Sequence, residues 1–246
     1  MQDRLRGQDF GLLSPVNRWT FPALHGKLVK KRERKKSMSK YKAIIYDIDG
    51  TLLNTVDMNM YPLIRIIKEE LGEDWTFEQV VPFTAQPGRK TLADLGIRDV
   101  ETVYARWVRY VNEYELGAVA FDGIPELLQR VRDLGVVQAV ASSKHLRQYG
   151  IDMVRQGYDR FMSTAVLCED TKKHKPDPEP LNLCLQRLGL TAAEAIYIGD
   201  ARSDMTAAHN AGMDFGYAAW GSFFPMDRSE PEHYLDHPLD LLKVLE

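Results

Sequence analysis

Two carboxylates one residue apart, Asp47 and Asp49, close an apolar run at residues 43–46 and lead into Gly50-Thr51. A short apolar run of this kind reads as a fully buried strand. Side chains alternate along a strand, so Asp47 and Asp49 share one side while Ile48 faces away. Gly50 lets the backbone leave the sheet sharply. Two acids at the carboxyl end of a buried strand are costly unless they bind a cation or do chemistry. Asp and Gly are common in strand-end turns, and Asp-x-Asp alone would be read that way. The complete Asp-x-Asp-Gly-Thr behind a buried strand points instead to phosphoryl transfer.

Three later groups could serve the same chemistry. A second apolar run at 136–141 stops at Ser142-Ser143-Lys144. A hydroxyl there, with the free amides of a following helix, would cradle a phosphate, although serine in such a place also simply caps helices. Lys175 precedes Pro176, which keeps it out of helical geometry and could aim its ammonium at a fixed point. Taken alone it would be a surface lysine. A further run at 195–198 ends in Gly199-Asp200, with Asp204 four residues later at a helix start. Carboxylates are favoured there for structural reasons as well.

The elements that must position these groups follow from the periodicity. Beyond residue 123, helical stretches at 124–134, 144–156, 177–188 and 203–211 alternate with strand-like runs at 136–141, 161–167, 195–198 and 213–219. This predicts an α/β fold with a parallel sheet and right-handed crossovers. Such sheets bind ligands beyond the carboxyl ends of their strands, and each of the four groups falls at such an end. Between 55 and 118 the pattern is helical. Met58, Tyr61, Leu63, Ile64, Ile67 and Leu71 approximate one face, stopped by Gly72. A short helix is expected at 75–81 and a longer one at 100–116, where Val103, Trp107, Val108, Val111 and Tyr114 recur. Stripes of this kind usually pack inward, so an all-helical insert with a small core of its own is expected.

The order Asp-x-Asp-Gly-Thr, Ser, Lys-Pro, Gly-Asp-x-x-x-Asp resembles the four motifs of the haloacid dehalogenase-like (HAD) superfamily, over about residues 40–246. Phe121-Asp122-Gly123-Ile124-Pro125-Glu126-Leu127-Leu128 and Ala218-Ala219-Trp220-Gly221 are similar to segments of its phosphoglycolate phosphatase-like branch. The resemblance implies a Rossmann-like core domain at 38–56 and 119–246, with a helical cap domain inserted at 57–118. It implies a Mg²⁺-dependent phosphatase acting on a small-molecule phosphate ester. Asp47 would be the nucleophile, forming an aspartyl-phosphate, and Asp49 the acid and then the base. Mg²⁺ would be held by Asp47, the backbone carbonyl of Asp49 and Asp200, with Asp204 in support. Ser142, Ser143 and Lys175 would hold the phosphoryl oxygens.

Alternatives within the superfamily can be weighed on single residues. The dehalogenases lack the second acid of the first motif, so Asp49 argues against that activity. Phosphomutases of the β-phosphoglucomutase type more often carry Val where this chain has Thr51, and a hinge histidine where Asn59 falls. Both departures favour hydrolysis, and a pyrophosphatase stands as a further alternative. For selectivity, the resembling families use a cap loop, often basic, to touch the leaving group. A turn at 87–91 fits that place, which makes Arg89 and Lys90 the expected contacts, with Trp75 and Trp107 next.

The net charge of −3 hides an asymmetry, because residues 1–37 hold ten Lys/Arg against three Asp/Glu and the remainder 22 against 32. The acidic main body excludes nucleic acid as a partner. No apolar run reaches the length of a membrane span. Cys168 and Cys184 form no CxxC pair, which argues against a disulfide scaffold or zinc centre and fits a reducing cytoplasm. Residues 1–37 read as a disordered or non-native leader. The basic run at 30–36 could be encoded by purines alone and stands before Ser37-Met38, as a translated ribosome-binding site would, so the natural start is expected at Met38. Assembly is expected to be a monomer or homodimer.

Overall fold

The computed structural model describes residues 39–246 apart from Leu116. The leader expected at 1–37 and the start expected at Met38 lie outside them. The first strand, β1 (Ala43–Tyr46), is buried at every residue. It is followed by β2 (Leu53–Asn54), then α1 (Val56–Leu71), α2 (Phe77–Val80), α3 (Gly88–Asp94) and α4 (Val100–Asn112), and the chain returns through β3 (Val119–Ala120). Beyond it come α5 (Ile124–Leu134), β4 (Val137–Ala141), α6 (Leu146–Tyr149), β5 (Ala165–Val166), α7 (Glu179–Leu188), β6 (Ala195–Gly199), α8 (Arg202–Asn210), β7 (Asp214–Ala218), β8 (His233–Leu235) and α9 (Leu241–Val244).

Six strands form one parallel sheet in the order β5-β4-β1-β6-β7-β8. Pairing with β4 and β6 sets Ile45 opposite both Ala139 and Tyr197. Alternation divides β1 between two cores. Ile44 and Tyr46 pack with Leu127, Leu128 and Val131 of α5 on one face. Ala43 and Ile45 pack with Leu181 and Cys184 of α7 and with Ala207 and Ala208 of α8 on the other. A parallel strand covered on both sides can be apolar throughout, which is why β1 carries an unbroken run. The fold is therefore α/β and Rossmann-like.

The segment between β2 and β3 is helical and has a third core, built from Met60, Leu63, Ile66, Ile67, Val80, Leu92, Val103, Trp107 and Tyr110. The two short strands pair antiparallel, Leu53 with Ala120 and Asn54 with Val119, and so tie the two ends of the helical segment together.

Several elements differ from expectation. On α1 the buried face runs through Met58, Met60, Leu63, Ile66 and Ile67, while Tyr61 and Leu71 are exposed. Tyr61 instead stacks on Tyr114 at the rim, with ring centroids 6.1 Å apart. The strand expected at 161–167 shrinks to Ala165–Val166, because residues up to Phe161 form a 3₁₀ turn, and Ser163 and Thr164 reach β4 only through single backbone hydrogen bonds of 2.7 and 3.1 Å. The helix expected at 144–156 begins at Leu146 and widens into a π turn at Gly150–Val154. The turn expected at 87–91 is the start of α3, entered from Pro87. The edge strand β8 lacks any alternation that would have announced it.

Candidate active site

Because β1 lies between β4 and β6, the three strand ends that carry Asp47, Ser142 and Asp200 are neighbours. The Asp47 amide continues the ladder by donating to the Ile198 carbonyl at 2.8 Å. The chain then turns back on itself, with the amides of Leu52 and Leu53 donating to the Ile48 carbonyl. Gly50 makes this turn at φ +77°, where a β-carbon would come within 2.3 Å of Asp200 Oδ2. Both its backbone angle and its closeness to Asp200 exclude a side chain. A second glycine presses from outside, since a β-carbon on Gly221 would lie 1.7 Å from the Gly50 carbonyl oxygen. Beside it, Trp220 Nε1 donates to the Thr51 carbonyl at 2.9 Å. The Trp220-Gly221 pair thus clamps the loop that bears both carboxylates.

Asp47, Asp200 and Asp204 each offer an oxygen within 4.8 Å of the others. Lys175 enters from the loop before α7, with Nζ 3.0 Å from Asp47 Oδ2 and 2.6 Å from Asp204 Oδ1. It also donates to the Tyr197 hydroxyl at 3.0 Å, and that hydroxyl donates to the Ala141 carbonyl at 2.9 Å. Tyr197 is a site residue that the sequence concealed inside an apolar strand. Asp204 serves two ends at once, because its Oδ2 accepts from the Ala201 amide at the start of α8. Thr51 donates its hydroxyl to Asp200 Oδ1 at 3.2 Å.

With every acid ionised, three carboxylates and one ammonium would carry a net charge of −2. Burial, with Asp204 and Asp49 adding to it and Lys175 opposing, pushes the Asp47 carboxyl up to about 6. Burial and then the charges of Asp204 and Asp47 raise Asp200 well above the usual carboxylate range. Burial alone would lower the Lys175 ammonium, yet Asp204 and Asp47 hold it well above its ordinary value. The buried Oδ1 of Asp47 has no hydrogen-bond partner among the described residues. An all-oxygen donor set with a surplus charge of two and an orphaned carboxylate oxygen fits a hard divalent cation.

Asp49 stands apart from this cluster. Its side chain is 41% exposed and pairs with Lys144 Nζ at 2.9 Å. Lys144, only 6% exposed, also pairs at 2.6 Å with the buried Asp152. Ser142 is buried and Ser143 exposed at the end of β4. The helix that follows does not present its first amide freely, because Leu146 N–H donates to Glu169 at 3.1 Å. The expected phosphate cradle there is accordingly narrower than a helix start would suggest.

A cavity of about 1180 Å³ opens between this edge of the sheet and the helical segment, with Asp49, Ser143, Lys144 and Asp200 on its core wall. Met58, Phe83, Trp107, Val108 and Val111 supply an apolar wall opposite. Arg89 lies on the lining, its guanidinium paired with Glu101 at 2.9 Å and 4.1 Å over the Tyr104 ring. Lys90 does not line the cavity and pairs with Asp94 along its own helix. Of the two tryptophans, Trp107 reaches the lining and Trp75 does not.

The profile of the haloacid dehalogenase-like hydrolases matches residues 44–218. The chain belongs to this family of hydrolases. Among similar proteins, the N-acetylmuramic acid 6-phosphate phosphatase of Pseudomonas aeruginosa is 29% identical over 217 residues, covering 83% of this chain and 95% of its own. The pyrophosphatase PpaX of Bacillus velezensis is 26% identical over 205 residues, covering 82% and 95%. A Lactobacillus plantarum structure described as a phosphoglycolate phosphatase is 25% identical, with a TM-score of 0.72 over 83% of this chain and 99% of that one. No helix among the described residues is long and apolar enough to cross a membrane.

Proposed function

We propose that the protein is a Mg²⁺-dependent phosphatase that hydrolyses a small organic phosphomonoester through an aspartyl-phosphate on Asp47. The observation that carries this reading is the Asp47–Asp200–Asp204 cluster, with Asp47 Oδ1 buried and unpartnered beside the Lys175 ammonium. Asp47 attacks phosphorus through a carboxylate oxygen. Lys175, Ser142 and Ser143 hold the phosphoryl oxygens, whose charge grows in the transition state. Asp49, across the turn and open to the cavity, protonates the leaving alcohol and later takes a proton from water. Asp47, the Asp49 backbone carbonyl, Asp200 and Asp204 would hold Mg²⁺, which supplies the positive charge that lets an anionic nucleophile approach an anionic ester.

Residues 57–118 act in this reading as the cap over a core formed by 38–56 and 119–246. The apolar wall formed by Met58, Phe83, Trp107, Val108 and Val111 supports an organic leaving group. Pyrophosphate has no apolar surface to bury against it. Hydrolysis is preferred to a mutase reaction because Asn59 donates its side-chain amide to the Thr55 carbonyl at 2.7 Å and cannot titrate as a hinge histidine would. The cytoplasm is the setting that fits such a substrate and the two free cysteines.

Phosphate release from a panel of sugar phosphates, phosphoglycolate, nucleotides and pyrophosphate tests the reading. Wild-type protein should release phosphate with Mg²⁺, lose that activity on chelation and recover it on readdition. Asp47→Asn should be inactive with an unchanged melting profile. Turnover by Asp47→Asn above background, or full activity in chelator, would overturn the assignment.

A further inference from the structure

Lys144 ends the Ser142-Ser143-Lys144 group without a role in the chemistry read from it, yet it is among the most buried cations described. Its side chain is 6% exposed and touches two carboxylates, Asp49 at 2.9 Å and Asp152 at 2.6 Å. Asp152 is 1% exposed and sits in the π turn that interrupts the helix after β4. Gln148 Nε2 donates to the same carboxylate at 3.3 Å. A π turn costs regular hydrogen bonding and often marks a functional position. Here it turns an acid inward beneath the lysine.

Stability does not account for such a group. A buried ion pair seldom gains over apolar residues of the same volume, and Asp152 alone would satisfy Lys144 without any reach toward the cavity. The third member is what distinguishes the arrangement. Among the described residues Lys144 is the one ion-pair partner of Asp49, whose side chain is otherwise 41% exposed and free to turn. We infer that Lys144, anchored from behind by Asp152, is a positioning residue that holds the Asp49 carboxylate toward the reacting ester. The inference rests on the phosphatase reading given above. Lys144 donates or accepts no proton in the reaction. It fixes where Asp49 gives up the proton it has first taken from solvent, and where it takes one from the attacking water.

Removing both charges together avoids leaving a buried one unpaired, so Lys144→Met/Asp152→Asn is the central variant, beside each single change, Asp49→Asn and Asp49→Asn/Lys144→Met. Thermal melting should show the central variant folded. With an alkyl phosphate and Mg²⁺, its kcat should fall about 10- to 100-fold, a part of the roughly 10²–10⁴-fold that general acid–base catalysis supplies, and KM should hardly move. Because Lys144 acts through Asp49, Asp49→Asn/Lys144→Met should be no slower than Asp49→Asn. Crystal structures should find the Asp49 carboxylate displaced in the central variant and in place in wild type. Lys144→Met lowering kcat by the same factor with and without Asp49 would overturn the inference, as would a rise in KM alone or an unmoved Asp49. The crystallographic arm reads Asp49 without turnover. Failure of the phosphatase reading would instead appear as activity retained in Asp47→Asn.

Discussion

Two lysines divide the acidic groups of this site between them, and their surroundings are closely parallel. Lys175 bridges Asp47 and Asp204, and Lys144 bridges Asp49 and Asp152. Each lysine side chain is almost wholly buried, and each has one anchoring acid that is 1% exposed. The difference lies in the other acid. Asp47 is buried among like charges, with Asp200 beside it. Asp49 is half open to the cavity and has no second carboxylate paired with it. In the proposed reading the first cluster gathers charge that a cation and a phosphoryl group would balance. The second, with two carboxylates on one ammonium, carries a surplus of only one charge, and its open member Asp49 faces water and the cavity.

The comparison can be broken most sharply by deleting each cation. Lys175→Met leaves Asp47 and Asp204 buried without their ammonium, and should abolish turnover while destabilising the metal-free fold by about 3–5 kcal/mol. Lys144→Met should cost less stability, because Asp49 can turn to water and only Asp152 is stranded. Chemical denaturation in chelator would measure both. Equal losses, or the reverse order, would show that the two clusters are not distinguished by their surplus charge.

A smaller effect concerns pH. The Asp47 carboxyl is held at about 6, above its ordinary value of 3.8. A raised carboxyl pKa contributes stability below the unfolded value and loses it as pH rises through the folded one. The stability of metal-free wild type relative to Asp47→Asn should therefore decline between about pH 4 and pH 6, by on the order of 2–3 kcal/mol. Mg²⁺ should reverse the decline, since a cation favours the ionised form. A flat difference across that window, measured by urea melts, would remove the charge argument for the first cluster.

The smallest expected effect lies on the opposite wall. Arg89 lines the cavity and Lys90 does not. Arg89→Ala should raise KM for an anionic substrate by the equivalent of about 1–3 kcal/mol, with little change for a small aryl phosphate. Lys90→Ala should alter neither, and parallel kinetics on the two substrates would check this. An equal effect of both changes would return selectivity to the whole basic segment as the sequence suggested.

What the sequence disclosed and what it hid follow from how far each signal extends. The strand β1 was legible because burial on both faces requires four consecutive apolar residues, and Asp200 and Asp204 because a strand end followed by a helix start fixes their spacing. The pair β2 and β3 was not, since two residues carry no period. Nor was the reach of β5, where a 3₁₀ turn takes up the start of the apolar stretch. Tyr197 was hidden because its hydroxyl works from within an apolar run. Lys144 and Asp152 were hidden for a related reason. They meet across a π turn, and an amphipathic pattern read at 3.6 residues per turn cannot register a local change in winding. Arg89 and Lys90 stood together as neighbours in the chain, and only the start of α3 separates them by direction.

The close approach of Gly221 to Gly50 sets a limit on how this enzyme can be altered. Any substitution at 221 pushes a side chain into the backbone of the loop that bears Asp47 and Asp49, so the floor beneath the ester has one admissible shape. Adaptation to a new leaving group, in a lineage or in a designed library, has to be sought on the far wall or just past the clamp. Phe223 and Phe224, both lining the cavity and about half exposed, stand immediately beyond that fixed point. Exchange of these side chains is expected to leave the loop that bears Asp47 and Asp49 in place.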